Sequence, residues 1–381
     1  MYRIAFICLG VFGAVMLQGL LALDGGLLAI LKTIYYGKFP SGRTMALTYT
    51  GLPVIDQFAN IQVAFWDPVV SVTGIPWLQA CMLCASLQTA GVWVVIESLR
   101  KEYARHWIIR YAPLYVFLWQ GTGTAIFLPF YFMVELEQHV RPTVVQRSSE
   151  LSLPHAMAVL PAAIFSLAQP FSMVFFPHAN MTEAQKQTAL AVYQFGPLAF
   201  YALITTFSHL LSSSTSSRRN ADAKWVKLTY AVCGISSGVT HIACLYAAAK
   251  SAEHPLAAAD MGSLPRIFSA LNELFIPTYS SVSSSKADTF MTQCSLFFLQ
   301  WDFIICATAS ALYCVGILKK SEFVGTGNGS SVVLLLAFLL ACVVVSPGFT
   351  VSATLLFRES ILRDTFVSAP GKNKVLEIDS E

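Results

Sequence analysis

The sequence predicts an all-α protein, a polytopic bundle of about eight transmembrane helices with a range of seven to nine. Its composition supports this fold class, because 55% of the 381 residues are hydrophobic and only 12% are charged. Soluble domains carry about 25% charged residues, so this chain is typical of a protein that lies mostly in lipid. The mean hydropathy of +0.61 agrees. The net charge of +3 is dispersed without a basic stripe, which argues against nucleic acid as a partner.

The individual spans follow from length, since a membrane helix needs about 20 mostly apolar residues. In chain order, the qualifying stretches are 4–31, 69–96, 111–134, 154–177, 190–211, 226–249, 290–318 and 331–357. The first begins after Arg3 as a secretory signal does, but it is longer than a signal, and we expect it to be retained. Two long connections, 32–68 and 250–289, are rich in aromatic and turn-forming residues, and we expect them to fold back over the bundle.

The last span sets the domain boundary. Residues 1–357 are expected to form a single transmembrane helical domain, followed by a charged, loosely ordered tail at 358–381. We expect an integral membrane protein of the endoplasmic reticulum or another endomembrane. Glycosylation sequons occur at Asn180 and Asn328, on opposite faces of the predicted bundle, so at most one of them can be used.

Motifs for several other chemistries are missing from the sequence. The cysteines are scattered among hydrophobic segments, and the CxxC pair Cys81 and Cys84 has no second pair, so no metal site is predicted. There is no Gly-rich phosphate loop and no HExxH, and no DDxxD cluster is present to hold Mg²⁺ on a diphosphate. We therefore expect no cofactor and no metal ion.

Asp302 is the most informative residue, because it is the only formal charge between Phe290 and Leu318. A carboxylate deep in hydrocarbon costs about 3 kcal/mol or more, so such residues are usually functional or paired. Its helical neighbours Phe298 and Ile305 are apolar, and apolar surroundings favour the protonated acid, which can donate a proton. The alternative is a hydrogen bond to a Ser, Thr or His of another span, and the sequence favours neither.

Other candidate acids lie near the ends of predicted spans. Asp67 precedes Pro68, a pattern typical of a helix N-cap, and it could also lie at the mouth of a cavity. Glu135 follows an aromatic run, and Glu273 lies on the second long connection, which could form a lid. Any of the three could be a catalytic partner of Asp302 or the final base. The residues expected to line the cavity are Trp66, Trp119, Trp301, Gln194 and His241.

The aromatic content, 13% of the chain, favours one class of reaction. Aromatic rings stabilise cations by about 1–2 kcal/mol per good contact, and a dry cavity protects a carbocation from water. Together with a buried acid, these features indicate acid-initiated cyclisation, begun by protonation of an epoxide or an alkene. The expected partners are a lipophilic, isoprenoid-containing small molecule and membrane lipid.

Four short segments resemble a family of fungal integral membrane proteins. The segments are 65–68, 96–101, 193–197 and 299–303, which follow in order over most of the chain. The family includes terpene cyclases of the ascochlorin and ascofuranone pathways. The resemblance implies a metal-independent cyclase of isomerase or lyase type in fungal secondary metabolism. Its substrate would be a meroterpenoid, a farnesyl-type chain on an aromatic polyketide, commonly epoxidised beforehand.

Two other functions remain open from the sequence. In a transporter or exporter of a small lipophilic metabolite, Asp302 and His241 would couple protons to transport. In a structural or receptor-like membrane protein, the intramembrane polar groups would pair only with one another. A cavity that Asp302 faces distinguishes the cyclase from this last alternative.

Overall fold

The computed structural model describes residues 2–101, 106–138, 150–212, 220–253, 263–320 and 328–365. Within these ranges the chain is helical, with one isolated bridge between Lys38 and Thr44 and no strand, so the all-α class is confirmed. The helices are α1 Tyr2–Leu23, α2 Gly26–Tyr36, α3 Pro53–Val70, α4 Ile75–Leu99, α5 Trp107–Arg110, α6 Ala112–Thr122, α7 Thr124–Gln138, α8 Leu153–Phe175, α9 Glu183–Gln194, α10 Gly196–Leu210, α11 Ala223–Glu253, α12 Ser263–Phe275, α13 Tyr279–Ser283, α14 Phe290–Lys320, α15 Asn328–Val344 and α16 Pro347–Thr365.

Five helices in the described ranges are long and apolar enough to cross a membrane, fewer than the predicted eight or so. They are α1, α4, α8, residues Ala223–Ser251 of α11, and residues Phe290–Lys319 of α14. The pair α9 and α10, bent by 62°, makes a sixth if it counts as one span. These helices indicate membrane association, but the predicted number of about eight spans is not confirmed.

Two predicted spans are interrupted by residues that end helices. The stretch 111–134 divides into α6 and α7 at Gly123, whose φ of +108° is adopted readily only by glycine. The stretch 331–357 divides before Pro347, which cannot donate a hydrogen bond to a preceding carbonyl. There Ser346 accepts from the N–H of Phe349 at 2.8 Å and caps α16. Apolar composition alone did not reveal these breaks.

The centre of the bundle is formed by α4 and α14. In their most apolar stretches, 89% and 72% of the residues are buried, against 22% for α1, so most of the surface of α1 is not covered by the rest of the protein. Helix α7 packs between α1 and α14, and α16 packs against α11 and α14. The predicted long connections contain helices of their own, α3 in the first and α12 and α13 in the second.

The predicted boundary at 357/358 falls inside a helix. Helix α16 continues to Thr365, and Arg358, Glu359 and Arg363 on its last turns are buried. The beginning of the predicted tail is therefore part of the bundle. Its charges are accommodated because they meet opposite charges from other helices. Most of the predicted tail, residues 366–381, lies outside the described residues.

Candidate functional site

A cavity opens where α1, α3, α4, α6 and α14 meet. It contains about 690 Å³ of empty space when the open mouth is included. Its walls are mainly apolar and aromatic, and they include Leu21, Ile61, Phe65, Trp66, Trp119 and Phe298. Two of the predicted tryptophans, Trp66 and Trp119, thus line the cavity, together with Asp302.

The carboxyl group of Asp302 faces the break between α6 and α7. Its Oδ1 accepts from the N–H of Ala125 at 2.6 Å, and the thiol of Cys306 lies 3.5 Å from the same atom. Its Oδ2 has a longer contact, 3.4 Å from the N–H of Thr124. Asp302 is only 3% exposed. One carboxyl oxygen is therefore well bonded, while the other is held more weakly.

The geometry explains why an acid is tolerated here. A helix N-terminus has N–H groups without intrahelical partners and a partial positive charge. Gly123 has no side chain to cap α7, and Asp302 supplies the cap from α14 instead. The partners are two backbone N–H groups and the thiol of Cys306 on the same helix, not the Ser, Thr or His side chain of another span that the sequence suggested. These donors favour the carboxylate, whereas burial favours the neutral acid.

Asp67 lies near the C-terminal end of α3 instead of at the start of a helix, so the N-cap interpretation is wrong. The helix begins far upstream, at Pro53, and continues through Pro68. Asp67 is buried and forms an ion pair with Arg43. Burial raises the pKa of the Asp67 carboxyl above its ordinary value, although the Arg43 charge opposes the shift.

Glu135 belongs to a buried ion network that also contains Glu97, Arg100, Asp222, Arg358, Glu359 and Arg363. Arg358 donates to Glu135 at 2.8 Å and also pairs with Glu97. Arg100 bridges Glu97 and Glu359 at 2.8 Å to each. Glu97 and Arg100 are three residues apart on one helix, a spacing typical of an exposed pair, but both are buried because side chains of α11 and α16 cover them.

The remaining predicted residues lie outside the cavity wall. Glu273 is exposed on α12. Trp301 packs edge-on against Phe12, with 5.5 Å between ring centroids. His241 is fully buried, and its Nε2 lies 2.8 Å from the carbonyl oxygen of Val343.

Gln194 lies one layer behind the wall. Its Oε1 accepts from Gln120 at 3.1 Å, and Gln120 itself lines the cavity. Sequence analysis also missed Gln120 and Thr124, two polar residues of the cavity wall. The signal that could have revealed Thr124 is Gly-Thr-Gly-Thr, residues 121–124, since closely spaced glycines in an apolar stretch indicate a helix break. In the part of the chain that the structure describes, no three His, Cys, Asp or Glu side chains are grouped as metal ligands.

Comparison with known proteins adds an independent result. A family model described as the CtvD domain matches residues 2–363. "Terpene cyclase DEP1" of Fusarium langsethiae is 24% identical over 338 residues, which cover 84% of this chain and 88% of the relative. "Terpene cyclase DEP1" of Alternaria brassicicola is 24% identical, with the same coverage. "Terpene cyclase alnG" of Emericella nidulans is 21% identical over 84% of this chain and 83% of its own length. No solved structure matches significantly.

Proposed function

This chain belongs to the CtvD domain family, which confirms the resemblance found in the sequence, and we propose that it is a membrane-bound terpene cyclase. The proposed reaction is the acid-initiated cyclisation of a prenylated aromatic, or meroterpenoid, intermediate. One observation carries the proposal: Asp302 lines a cavity whose walls are mostly aromatic and aliphatic. We also propose an endoplasmic reticulum or other endomembrane location, which suits a substrate dissolved in lipid.

In the proposed mechanism Asp302 is the general acid. Its Oδ1 is engaged by the N–H of Ala125, so the transferable proton resides on Oδ2. Proton transfer to an epoxide oxygen accompanies cleavage of a C–O bond and leaves positive charge on the tertiary carbon. A double bond of the same chain attacks that carbon and forms the first ring. Loss of a proton from the cyclised cation, with its return to Asp302, completes an isomerisation in which atoms and charge balance.

The cavity walls serve this mechanism in two ways. Trp66 and Trp119 line the cavity, and an aromatic ring stabilises positive charge by about 1–2 kcal/mol per good contact with its face. The mainly apolar lining excludes water that would trap the cation. Asp67, Glu135 and Glu273 remain alternative final bases, although the contacts of the first two favour structural roles and the third is exposed on α12, outside the cavity wall.

Replacement of Asp302 by asparagine tests the mechanism. Asparagine keeps an oxygen that can accept from Ala125, so we expect the variant to fold with a melting temperature close to that of the wild type. It has no acidic proton, and general acid catalysis contributes about 100- to 10,000-fold, so turnover should fall at least 100-fold. The assay is mass-spectrometric detection of product from a prenylated phenol with a terminal epoxide, added to purified protein in lipid nanodiscs.

Parallel variants identify the base and exclude indirect effects. Asp67→Asn, Glu135→Gln and Glu273→Gln should each retain more turnover than Asp302→Asn if Asp302 both gives and regains the proton. Full turnover by a folded Asp302→Asn protein would remove this residue from the mechanism. Movement of unchanged compound across a vesicle membrane, without any product, would instead favour a transporter.

A further inference from the structure

Thr124 has a buried hydroxyl group for which the structure provides no partner. The residue is 1% exposed, it lines the cavity, and its Oγ1 has no hydrogen-bond partner within the described part of the chain. A buried hydroxyl without a partner is unfavourable by about 1–3 kcal/mol, so native proteins rarely keep one without reason.

Other helical threonines of this protein avoid that penalty by bonding to their own helix. Thr229 donates to the carbonyl of Trp225 at 2.9 Å, and Thr354 donates to that of Thr350 at 2.9 Å. Thr124 is the first residue of α7, and Gly123 before it has a φ of +108°, so no helical turn precedes it to supply such a carbonyl. The break between α6 and α7 therefore leaves the hydroxyl available.

The position of this hydroxyl relative to Asp302 suggests its use. The backbone N–H of Thr124 lies 3.4 Å from Oδ2 of Asp302, the less engaged of the two carboxyl oxygens. Thr124 and Asp302 thus lie side by side in the wall of the same cavity, and most of that wall is apolar. The N-terminus of α7 adds partial positive charge beside them. Together they suit an oxygen atom that accepts two hydrogen bonds and gains negative charge as its C–O bond breaks.

We propose that Thr124 is a specificity-determining residue whose hydroxyl donates to the substrate oxygen that Asp302 protonates. This inference rests on the proposed cyclase function and deepens it by naming a residue that would distinguish an epoxide from an alkene. A terminal alkene offers no oxygen at this position and would leave the hydroxyl unpaired. A site built to hydrogen-bond an oxygen discriminates strongly against the analogue that lacks it.

Two variants separate the hydroxyl from the shape of the side chain. Thr124→Val keeps the volume and removes the hydroxyl, whereas Thr124→Ser keeps the hydroxyl. Thr229→Val is the matched control, because Thr229 is equally buried and its hydroxyl is bonded within α11. All are prepared in the Asp302→Asn background, in which the probe is not consumed. The probes are a prenylated phenol with a terminal epoxide and the same compound with a terminal alkene.

Equilibrium binding to protein in nanodiscs gives a Kd for each probe. For Thr124→Val we expect the Kd of the epoxide to rise about tenfold or more, with less than a twofold change for the alkene. Thr124→Ser and Thr229→Val should both retain the preference for the epoxide. Equal loss for both probes, or no loss for either, overturns the proposal.

Turnover distinguishes this inference from the proposed function. In the otherwise wild-type protein, Thr124→Val should lower kcat/KM for the epoxide, and Thr124→Ser should restore most of it. If the wild-type protein cyclises neither probe but still binds the epoxide through Thr124, the cyclase proposal fails and the binding site stands. If it cyclises the epoxide at the same rate with valine at position 124, the cyclase stands and the role of Thr124 is refuted.

Discussion

Replacement of Gly123 by alanine tests whether the break between α6 and α7 positions Asp302 in the cavity. A Cβ on Gly123 would overlap Cδ2 of Leu17 and lie 3.1 Å from Cζ of Phe298, closer than ordinary van der Waals contact. The φ of +108° adds backbone strain of about 1–3 kcal/mol for a residue with a side chain. Relief of either effect moves the first residues of α7, whose N–H groups hold Asp302.

The expected destabilisation is the sum of strain and overpacking. Overpacking of a dense core typically costs about 1–3 kcal/mol, so Gly123→Ala should lose about 2–6 kcal/mol in total. Gly25→Ala is the control for a positive φ without overlap, because Gly25 has a φ of +83° and open space around its added Cβ, although its ψ of 3° differs from the 131° of Gly123. The control should show the backbone cost alone, and turnover should fall only in Gly123→Ala.

The assay is reversible unfolding in detergent mixtures, read by circular dichroism, with turnover measured on the same samples. The double variant Gly123→Ala/Leu17→Ala supplies an internal check, since it removes the overlapping Cδ2. The double variant should be more stable than the sum of the two single changes predicts, by at least about 0.5 kcal/mol. Equal stability losses at positions 25 and 123, with turnover intact in both, would refute the argument that the break positions Asp302.

Two further predictions concern groups outside the cavity. Arg358→Met should reduce the free energy of unfolding by about 3–5 kcal/mol, because it removes a positive charge that pairs with the buried carboxylates of Glu97 and Glu135. Adding Glu135→Gln should recover part of this loss in the same unfolding assay. Removal from water raises the pKa of Asp56, but hydrogen bonds led by Thr50 hold it below the ordinary value. The Asp56 carboxylate therefore stabilises the loop of residues 49–51 at pH values above its unfolded-state pKa. This stabilisation is lost as the pH falls through the folded-state pKa, which is the lower of the two. The protection of the Thr50 amide against exchange, relative to the intrinsic exchange rate at the same pH, should decrease in acid. In Asp56→Asn this protection should already be low at neutral pH, and a neutral-pH protection equal to that of the wild type would contradict this.

The sequence predicted the fold class because apolar composition over long stretches is a strong signal in a membrane chain. The number of spans was harder to predict, since one residue such as Gly123 is enough to interrupt a helix within an otherwise apolar stretch. Asp302 could be singled out because an isolated charge among apolar residues is visible without coordinates. Its partners could not, because Ala125 contributes only a backbone N–H, from a helix far away in the chain.

The ion network was invisible to the sequence for a related reason. Glu97 and Arg100 are neighbours on one helix, and that spacing is normally typical of a solvated pair. Arg358 lies in a segment that resembled a charged tail. Only the packing of α16 against the bundle brings these charges together and buries them. Local patterns predict local contacts, and this network is made of contacts between distant segments.

Helix α7 connects the two polar systems of the molecule. Asp302 of α14 bonds to its N-terminus, and Arg358 of α16 bonds to Glu135 on its last turns. A short helix held at both ends by charged groups has little freedom to slide, so the N–H groups around Asp302 are fixed relative to the cavity wall. Loss of the network should therefore lower turnover as well as stability, whereas Asp302→Asn should lower turnover alone. That contrast separates a group that performs the chemistry from groups that position it.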